Sequence, residues 1–501
     1  MQTRSPGCKP STTAAVVILL CVAVCALPAQ DRAARGGRGP AADLSLILGR
    51  PTDRSITLSV LSRVAIEAHV EFGTHAGVYP EKTRPRLIEA GDPAEFELGG
   101  LKPDARYYYR LLTRIAGGKD YRPEPEGSFC TQRAPGSTFT FAVQGDSHPE
   151  RQGKMYAPAL YALTLQNVAA NPPDFYVAMG DDFSIERLIG SKTLSQSAVD
   201  QVYAHQRGFL GVVGRCSSLF LVNGNHEQAA RANLDGTPDN PAVLAGRART
   251  RFFPLPAPDA FYTGNASEVP HVGLPRDYYA WTWGDALFVM LDFYWHSAGA
   301  VDNEAGGRQR AGGGKRGGGR QRDLWAITLG DAQYRWLTET LKGSKARWKF
   351  LFCHHVLGTG RGGIEQARLY EWGGRDRNGE SAFAVRRPGW TRPIHDLMAQ
   401  TGVTIFFQGH DHLYAHQELD GIVYQSCPNP ADDTYQAFNR EAYRSGTVLP
   451  NSGHLRVTVA PDKVRVDYVR SFLPANAGVG QTNGTVARSY TIPAGREGTS
   501  R

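Results

Sequence analysis

No stretch of this sequence carries enough apolar residues for a comfortable span of a bilayer, and cysteine is too scarce to staple a chain of 501 residues. The longest apolar run, "AAVVILLCVAVCAL" from Ala14 to Leu27, has 14 residues, against the roughly 20 that a transmembrane helix needs. Arg4 and Lys9 precede it and Ala26 and Ala29 lie at its end, the layout of a cleaved export signal over residues 1–29. An uncleaved anchor is the alternative. The expectation is an exported protein, periplasmic or secreted, with no membrane association after the leader is removed. Of the 7 cysteines, Cys8, Cys21 and Cys25 leave with that leader. Cys130, Cys216, Cys353 and Cys427 remain, too few for a disulfide framework even in an oxidising compartment, and their pairing stays open. No internal repeat is present.

The net charge of +8 invites a nucleic-acid reading until it is located. Arg4 and Lys9 belong to the leader. Six more positive charges sit in "GGRQRAGGGKRGGGRQR", residues 306–322, a segment without a single acid. The remaining body is therefore about neutral. Glycine-rich basic sequence cannot bury enough apolar surface to order itself, so residues 303–322 are expected to form a disordered insert. No nucleic-acid partner is expected beyond a weak contact through that insert.

Residues 43–133 read as short strands. "SITLSVLS" alternates Ile56, Leu58 and Val60, and "YYYRLLT" alternates Tyr107, Tyr109 and Leu111, with turn residues between such runs. That is the rhythm of an all-β sandwich. "LKPDARYYYRL" resembles the corner of fibronectin type III domains, with Leu101, Pro103 and Tyr107 at the matching spacing. From 137 to 494 the texture changes. Short apolar runs alternate with helical stretches such as "DAQYRWLTETLKG" and "RPIHDLMAQTG", which predicts a layered α/β core with helices covering its sheets. Residues 495–501 form a tail.

Five apolar runs of this second region end in residues of metal-ligand type. "TFTFAVQ" leads into Gly145-Asp146-Ser147-His148, "DFYVAM" into Gly180-Asp181-Asp182, and "SLFLVN" into Gly224-Asn225-His226-Glu227. "WKFLFC" leads into His354-His355, and "VTIFF" into Gln408-Gly409-His410-Asp411-His412. In an α/β sheet the loops past the strands' carboxyl ends form the ligand crevice, so buried strands would deliver all five sets to one rim. Carboxylate, imidazole and amide donors without a cysteine suit Zn, Mn or Fe rather than a soft-metal cluster.

This ordered set is similar to that of the calcineurin-like metallophosphoesterases, a superfamily that includes the purple acid phosphatases. The sandwich ahead of it resembles, more loosely, the N-terminal domain of the purple enzymes. The resemblance implies a metallophosphoesterase β-sandwich flanked by helices, two divalent metal ions and hydrolysis of a small phosphate ester by a metal-bridging hydroxide. Carried over by position, Asp146, His148 and His412 would hold one metal and Asn225, His354 and His410 the other, with Asp181 bridging. His226 would act as proton donor or phosphate contact, held by Glu227 or a neighbouring acid, and His355 is the alternative to His354. In purple acid phosphatases a tyrosine follows the bridging aspartate by three residues. Here that position is Ser184, preceded by Phe183. The exchange favours divalent metals and an optimum near or above neutrality.

The remaining polar residues divide more evenly. Asp182 and Asp411 either orient ligands or serve as turn residues. Arg361 and Arg368 either grip substrate phosphate or stay solvated. His205, His395 and His416 read as structural. The function expected is phosphomonoester hydrolysis. The alternatives are phosphodiester hydrolysis on the same metal core and, further off, an exported binding protein with an inert site.

Overall fold

The computed structural model describes residue 1 and residues 44–299, 301, 323–356 and 360–495. The expected leader beyond Met1, the insert at 303–322 and the tail after Gly495 lie outside those residues.

Alternation along the first strands puts one face of each into a common core. A sheet of Leu44–Gly49, Ile56–Ser62 and Ala94–Leu98 faces a second one centred on Ile66–Gly73 and Arg106–Ile115. Leu58, Val60, Val70, Phe96, Tyr109 and Leu111 fill the space between them. At the expected corner the Tyr107 hydroxyl accepts the Lys102 backbone N–H at 2.9 Å, and its ring stacks on Phe129. The corner thus ties the chain entering the Arg106–Ile115 strand to that strand's own side chain. The last strand of this sandwich, Gly127–Cys130, ends shortly before the next sheet begins at Phe139.

Two larger sheets follow. The six-stranded one runs Ser218–Leu221, Phe175–Ala178, Phe139–Gln144, Gly453–Val459, Lys463–Arg470, Val486–Pro493. The eight-stranded one has Tyr279–Trp283, Ala286–Met290, Trp348–Phe352, Ile405–Gln408 and Ile422–Ser426 as its successive middle strands. Their inner faces are paved with aromatic rings. Phe141 meets Phe288 edge-on at 5.2 Å, Phe220 stacks on Trp281 at 4.1 Å, and Phe352 stacks on Phe407 at 4.9 Å. Each such side chain, fully withdrawn from water, contributes about 1.5–3 kcal/mol, so this layer holds the two sheets together.

Helices cover the outer faces. Gln196–Gly214 starts where Ser195 accepts the Ala198 N–H and buries Val199, Tyr203, Leu210 and Val213 along one stripe. Pro241–Phe252 starts at Asn240, whose side chain accepts the Val243 N–H, with Pro241 in the first turn. On the other sheet Gly330–Gly343 buries Tyr334, Leu337 and Leu341, and Ile394–Gln400 buries Ile394, Leu397 and Met398. No helix of the described residues is long and apolar enough to cross a membrane.

The first sandwich docks on the six-stranded side through buried polar contacts. Arg207, wholly buried, donates to the backbone oxygens of Ser59 and Phe252, and the Tyr109 hydroxyl donates to the Arg215 carbonyl at 2.7 Å. Cys130, Cys353 and Cys427 are buried, Cys216 is half-buried, and none of the four forms a disulfide.

Candidate metal centre

Phe139–Gln144, Phe175–Ala178 and Ser218–Leu221 run parallel in one sheet, and Trp348–Phe352 and Ile405–Gln408 run parallel in the other. Their carboxyl ends meet at one edge of the sandwich. The turns there are tight enough to need unusual backbone. His148, Asp181, His410 and His412 all have left-handed φ, between 52° and 66°, a conformation that costs a non-glycine residue free energy and clusters at functional sites. A Cβ on Gly409 would lie 2.4 Å from Asp146 Oδ1, and one on Gly224 would lie 2.2 Å from Asp181 Oδ1. Neither position tolerates a side chain while the aspartates stay in place.

Buried acceptors hold these loops. Glu227 accepts the backbone N–H groups of Gly224, Asp181 and Asp182 at 2.6, 2.9 and 2.7 Å. It clamps two of the motifs together and does not hold His226. Asp182 accepts the Ser147 hydroxyl at 2.5 Å and Gln144 Nε2 at 2.9 Å. Asp411 accepts the Tyr443 hydroxyl at 2.6 Å and the Gly362 N–H at 2.8 Å, with Arg361 Nη1 at 3.4 Å. Both aspartates therefore do more than turn the chain.

Two donor groups result. In the first, Nε2 of His148 and Nε2 of His412 lie 2.9 Å apart, and Asp146 Oδ2 is 3.1 Å from the latter and 3.7 Å from the former. In the second, His354 Nε2 stands 3.2 Å from Asn225 Oδ1 and 3.2 Å from Asp181 Oδ2. Asp181 Oδ2 is also 3.6 Å from His148 Nε2, so one carboxylate oxygen lies within reach of both groups. His410 and His355 each have a ring nitrogen within 4.8 Å of one on His354, and the His410 ring lies 5.2 Å from that of His354. His355 packs behind, stacked on His410 at 4.3 Å with Nδ1 3.2 Å from the Tyr294 hydroxyl. His354, not its neighbour, faces Asp181 and Asn225.

The donors fit a cation. His354 Nδ1 lies 2.7 Å from the Met179 carbonyl, and His148 Nδ1 lies 2.8 Å from Glu150 Oε1. Each Nδ1–H is thereby committed outward, and each Nε2 lone pair is turned inward. Asp146 Oδ2 is buried without a hydrogen-bond donor. Burial would depress His354, but Asp181 and Asp146 hold it up to about 10. Burial likewise opposes His148, yet Glu150 carries it to about 9. A divalent ion satisfies the same lone pairs and carboxylates without the protons.

His226 stands at the rim, its backbone N–H on Asp181 Oδ1 at 2.8 Å and its Nε2 4.0 Å from Asp181 Oδ2. Glu186 Oε1 is 3.1 Å from its Nδ1, and Arg151 Nη2 is 3.2 Å from its Nε2. Burial lowers the imidazole's affinity for a proton, but Asp181 and Glu186 more than restore it, leaving the pKa raised. Glu150, Arg151, Glu186 and Tyr294 were not marked by sequence reasoning. Only Glu150 carried a local signal, two residues past His148 in the same turn. Arg368 is exposed on the surface, and Phe183 stacks on Tyr203. His205 lies in the Gln196–Gly214 helix, His395 bonds Tyr424 and Asp420, and His416 stacks on Tyr490.

The calcineurin-like phosphoesterase family matches residues 139–414, which carry every one of these motifs. The chain belongs to that family. It is accordingly a hydrolase of phosphate esters. Among solved structures it is similar to PhoD, at 16% identity over 90% of each chain with a TM-score of 0.60, a likeness of fold. GAP50, the anchor in the inner membrane complex of Plasmodium, aligns over 71% of this chain and 89% of its own at 12% identity. Its TM-score of 0.36 is too low to carry an argument. No curated protein matches.

Proposed function

We propose that this phosphoesterase acts on phosphomonoesters at a centre of two divalent ions, Zn, Mn or Fe. Asp146, His148 and His412 would hold one ion, Asn225, His354 and His410 the other, and Asp181 both. The observation that carries the reading is the position of Asp181 Oδ2, 3.6 Å from His148 Nε2 and 3.2 Å from His354 Nε2. Two such ions, when bound, supply a nucleophile at neutral pH and relieve negative charge on the transferring phosphoryl group.

The chain's own residues do the rest. Arg151 and His226 stand side by side, 3.2 Å apart, and an oxyanion beside the pair could accept charge-assisted hydrogen bonds from both. A monoester brings two negative charges to that seat and a diester one, which favours the monoester. Glu186 Oε1, 3.1 Å from His226 Nδ1, holds the imidazole in place to pass a proton to the departing ester oxygen. Glu227 and Asp182 keep the Asp181 loop from shifting as charge moves.

We further propose that the protein is exported, on the strength of the charged and apolar leader pattern in residues 4–29. Metal analysis of the purified protein, joined to turnover of p-nitrophenyl phosphate and bis(p-nitrophenyl) phosphate, tests the function. The reading expects two ions per chain and a higher kcat/KM for the monoester. Preference for the diester would replace it with a phosphodiesterase.

A further inference from the structure

Beside the metal centre the surface sinks into a cavity of about 430 Å³, a volume usual for a small-molecule site (roughly 300–1,000 Å³). Arg361, Arg377 and Arg444 line it, against two carboxylates, Glu365 and Glu441. Glu365 is already engaged. It accepts Gln417 Nε2 at 2.9 and 3.1 Å and the backbone N–H of Arg444 at 2.7 Å. Arg377 and Arg444 are exposed; Arg377 bonds the Tyr370 hydroxyl, and neither arginine forms an ion pair with a carboxylate among the described residues.

Arg361 belongs to both places. It forms part of the cavity wall, and its Nη1 lies 3.4 Å from Asp411 Oδ1, the side chain between His410 and His412. The opposite wall is linked as well, because Glu441 and Ala442 lead directly into Tyr443, whose hydroxyl is 2.6 Å from Asp411 Oδ2. An anion in the cavity would therefore sit one guanidinium away from the ligand loop. Planar guanidinium forks recognise phosphate bidentately, and three of them against two carboxylates leave the cavity lining net positive by one charge.

We propose that this cavity is a subsite for a second phosphate on the substrate. The scissile phosphoryl group would lie at the metal centre while a distal phosphate of the same molecule sits among Arg361, Arg377 and Arg444. The substrate class is then a phosphate ester whose organic arm bears another phosphate, such as a sugar bisphosphate. This inference rests on the phosphomonoester reading proposed above.

The test compares glucose 1,6-bisphosphate, glucose 6-phosphate and p-nitrophenyl phosphate on the metal-loaded full chain, as wild type and as the double variant R377Q/R444Q. The wild type is expected to show a lower KM for the bisphosphate than for the monophosphate. The variant should raise that KM about tenfold or more, from the loss of two charged hydrogen-bond donors, with p-nitrophenyl phosphate turnover unchanged. Equal KM for the two sugar phosphates in the wild type, or a uniform loss on all three esters in the variant, overturns the subsite. Absence of any p-nitrophenyl phosphate turnover fails the phosphomonoester reading instead. The subsite is then judged by calorimetric binding of inorganic tripolyphosphate: weaker binding by the variant supports it, and equal binding overturns it.

Discussion

Glu150 Oε1 lies 2.8 Å from Nδ1 of His148, and this contact decides which imidazole nitrogen faces Asp146 and Asp181. A carboxylate behind a ligating histidine fixes its tautomer and raises its basicity, and losing it typically costs about 10–100-fold in metal affinity. Glu150→Gln keeps the shape and removes the charge. We expect its metal titration to shift weaker by about that factor, with turnover recovered in excess metal. Unchanged affinity would mean that Glu150 merely fills space.

His226 offers a cleaner separation of roles. If it protonates the leaving oxygen, His226→Ala should slow alkyl phosphates by roughly 10²–10⁴-fold and slow p-nitrophenyl phosphate far less, because nitrophenolate leaves without a proton. Comparable slowing of both esters would assign His226 to phosphate binding, alongside Arg151.

His454 predicts a pH effect on stability that does not pass through a metal ligand. It is buried in the Gly453–Val459 strand, its Nδ1 has no hydrogen-bond partner, and burial pushes its pKa down to about 3. The folded state therefore keeps it neutral while the unfolded chain protonates below about 6.5. The unfolded state binds the extra proton, so stability is full above pH 6.5 and falls as pH drops toward 3. Between pH 7.5 and 5 this one group removes about 2 kcal/mol. Urea unfolding of His454→Gln should show an acid-side loss smaller than wild type by that amount. Parallel curves would contradict it.

The metal-loaded protein should lack a strong visible charge-transfer band and work best near or above neutrality. Ser184 occupies the position where the purple enzymes place their tyrosine, Phe183 is turned into the Tyr203 ring, and the nearby Tyr294 hydroxyl faces His355. An absorption spectrum with a tyrosinate–iron band, together with an acidic optimum, would show that another phenolate reaches the site.

Much of this was legible because the signals are local. Each motif follows an apolar run of a few residues, and the glycine before a ligand announces a turn too tight for a side chain, as Gly224 and Gly409 show. The Tyr107 corner is likewise written within seven residues of chain. What escaped depends on distant pairing. The Gly453–Val459 strand inserts beside Phe139–Gln144, and nothing in either stretch names the other. His226 was expected to be held by Glu227 or a neighbouring acid, and the Glu227 carboxylate turns instead to the backbone of Asp181 and Asp182. Glu186 takes that place by His226 from the start of the Glu186–Gly190 helix. Arg361 reached Asp411 only through the path of a loop whose course tertiary packing sets.

The central claim is that one carboxylate, Asp181, serves two metal ions. Asp181→Asn removes the charge and keeps the volume, so metal content and turnover measured together on this variant, against His410→Ala, test it most directly. The account predicts two ions per chain in the wild type, a loss touching both ions in Asp181→Asn, a loss confined to one ion in His410→Ala, and almost no hydrolysis in either. An Asp181→Asn protein that retains two ions and full activity would contradict it.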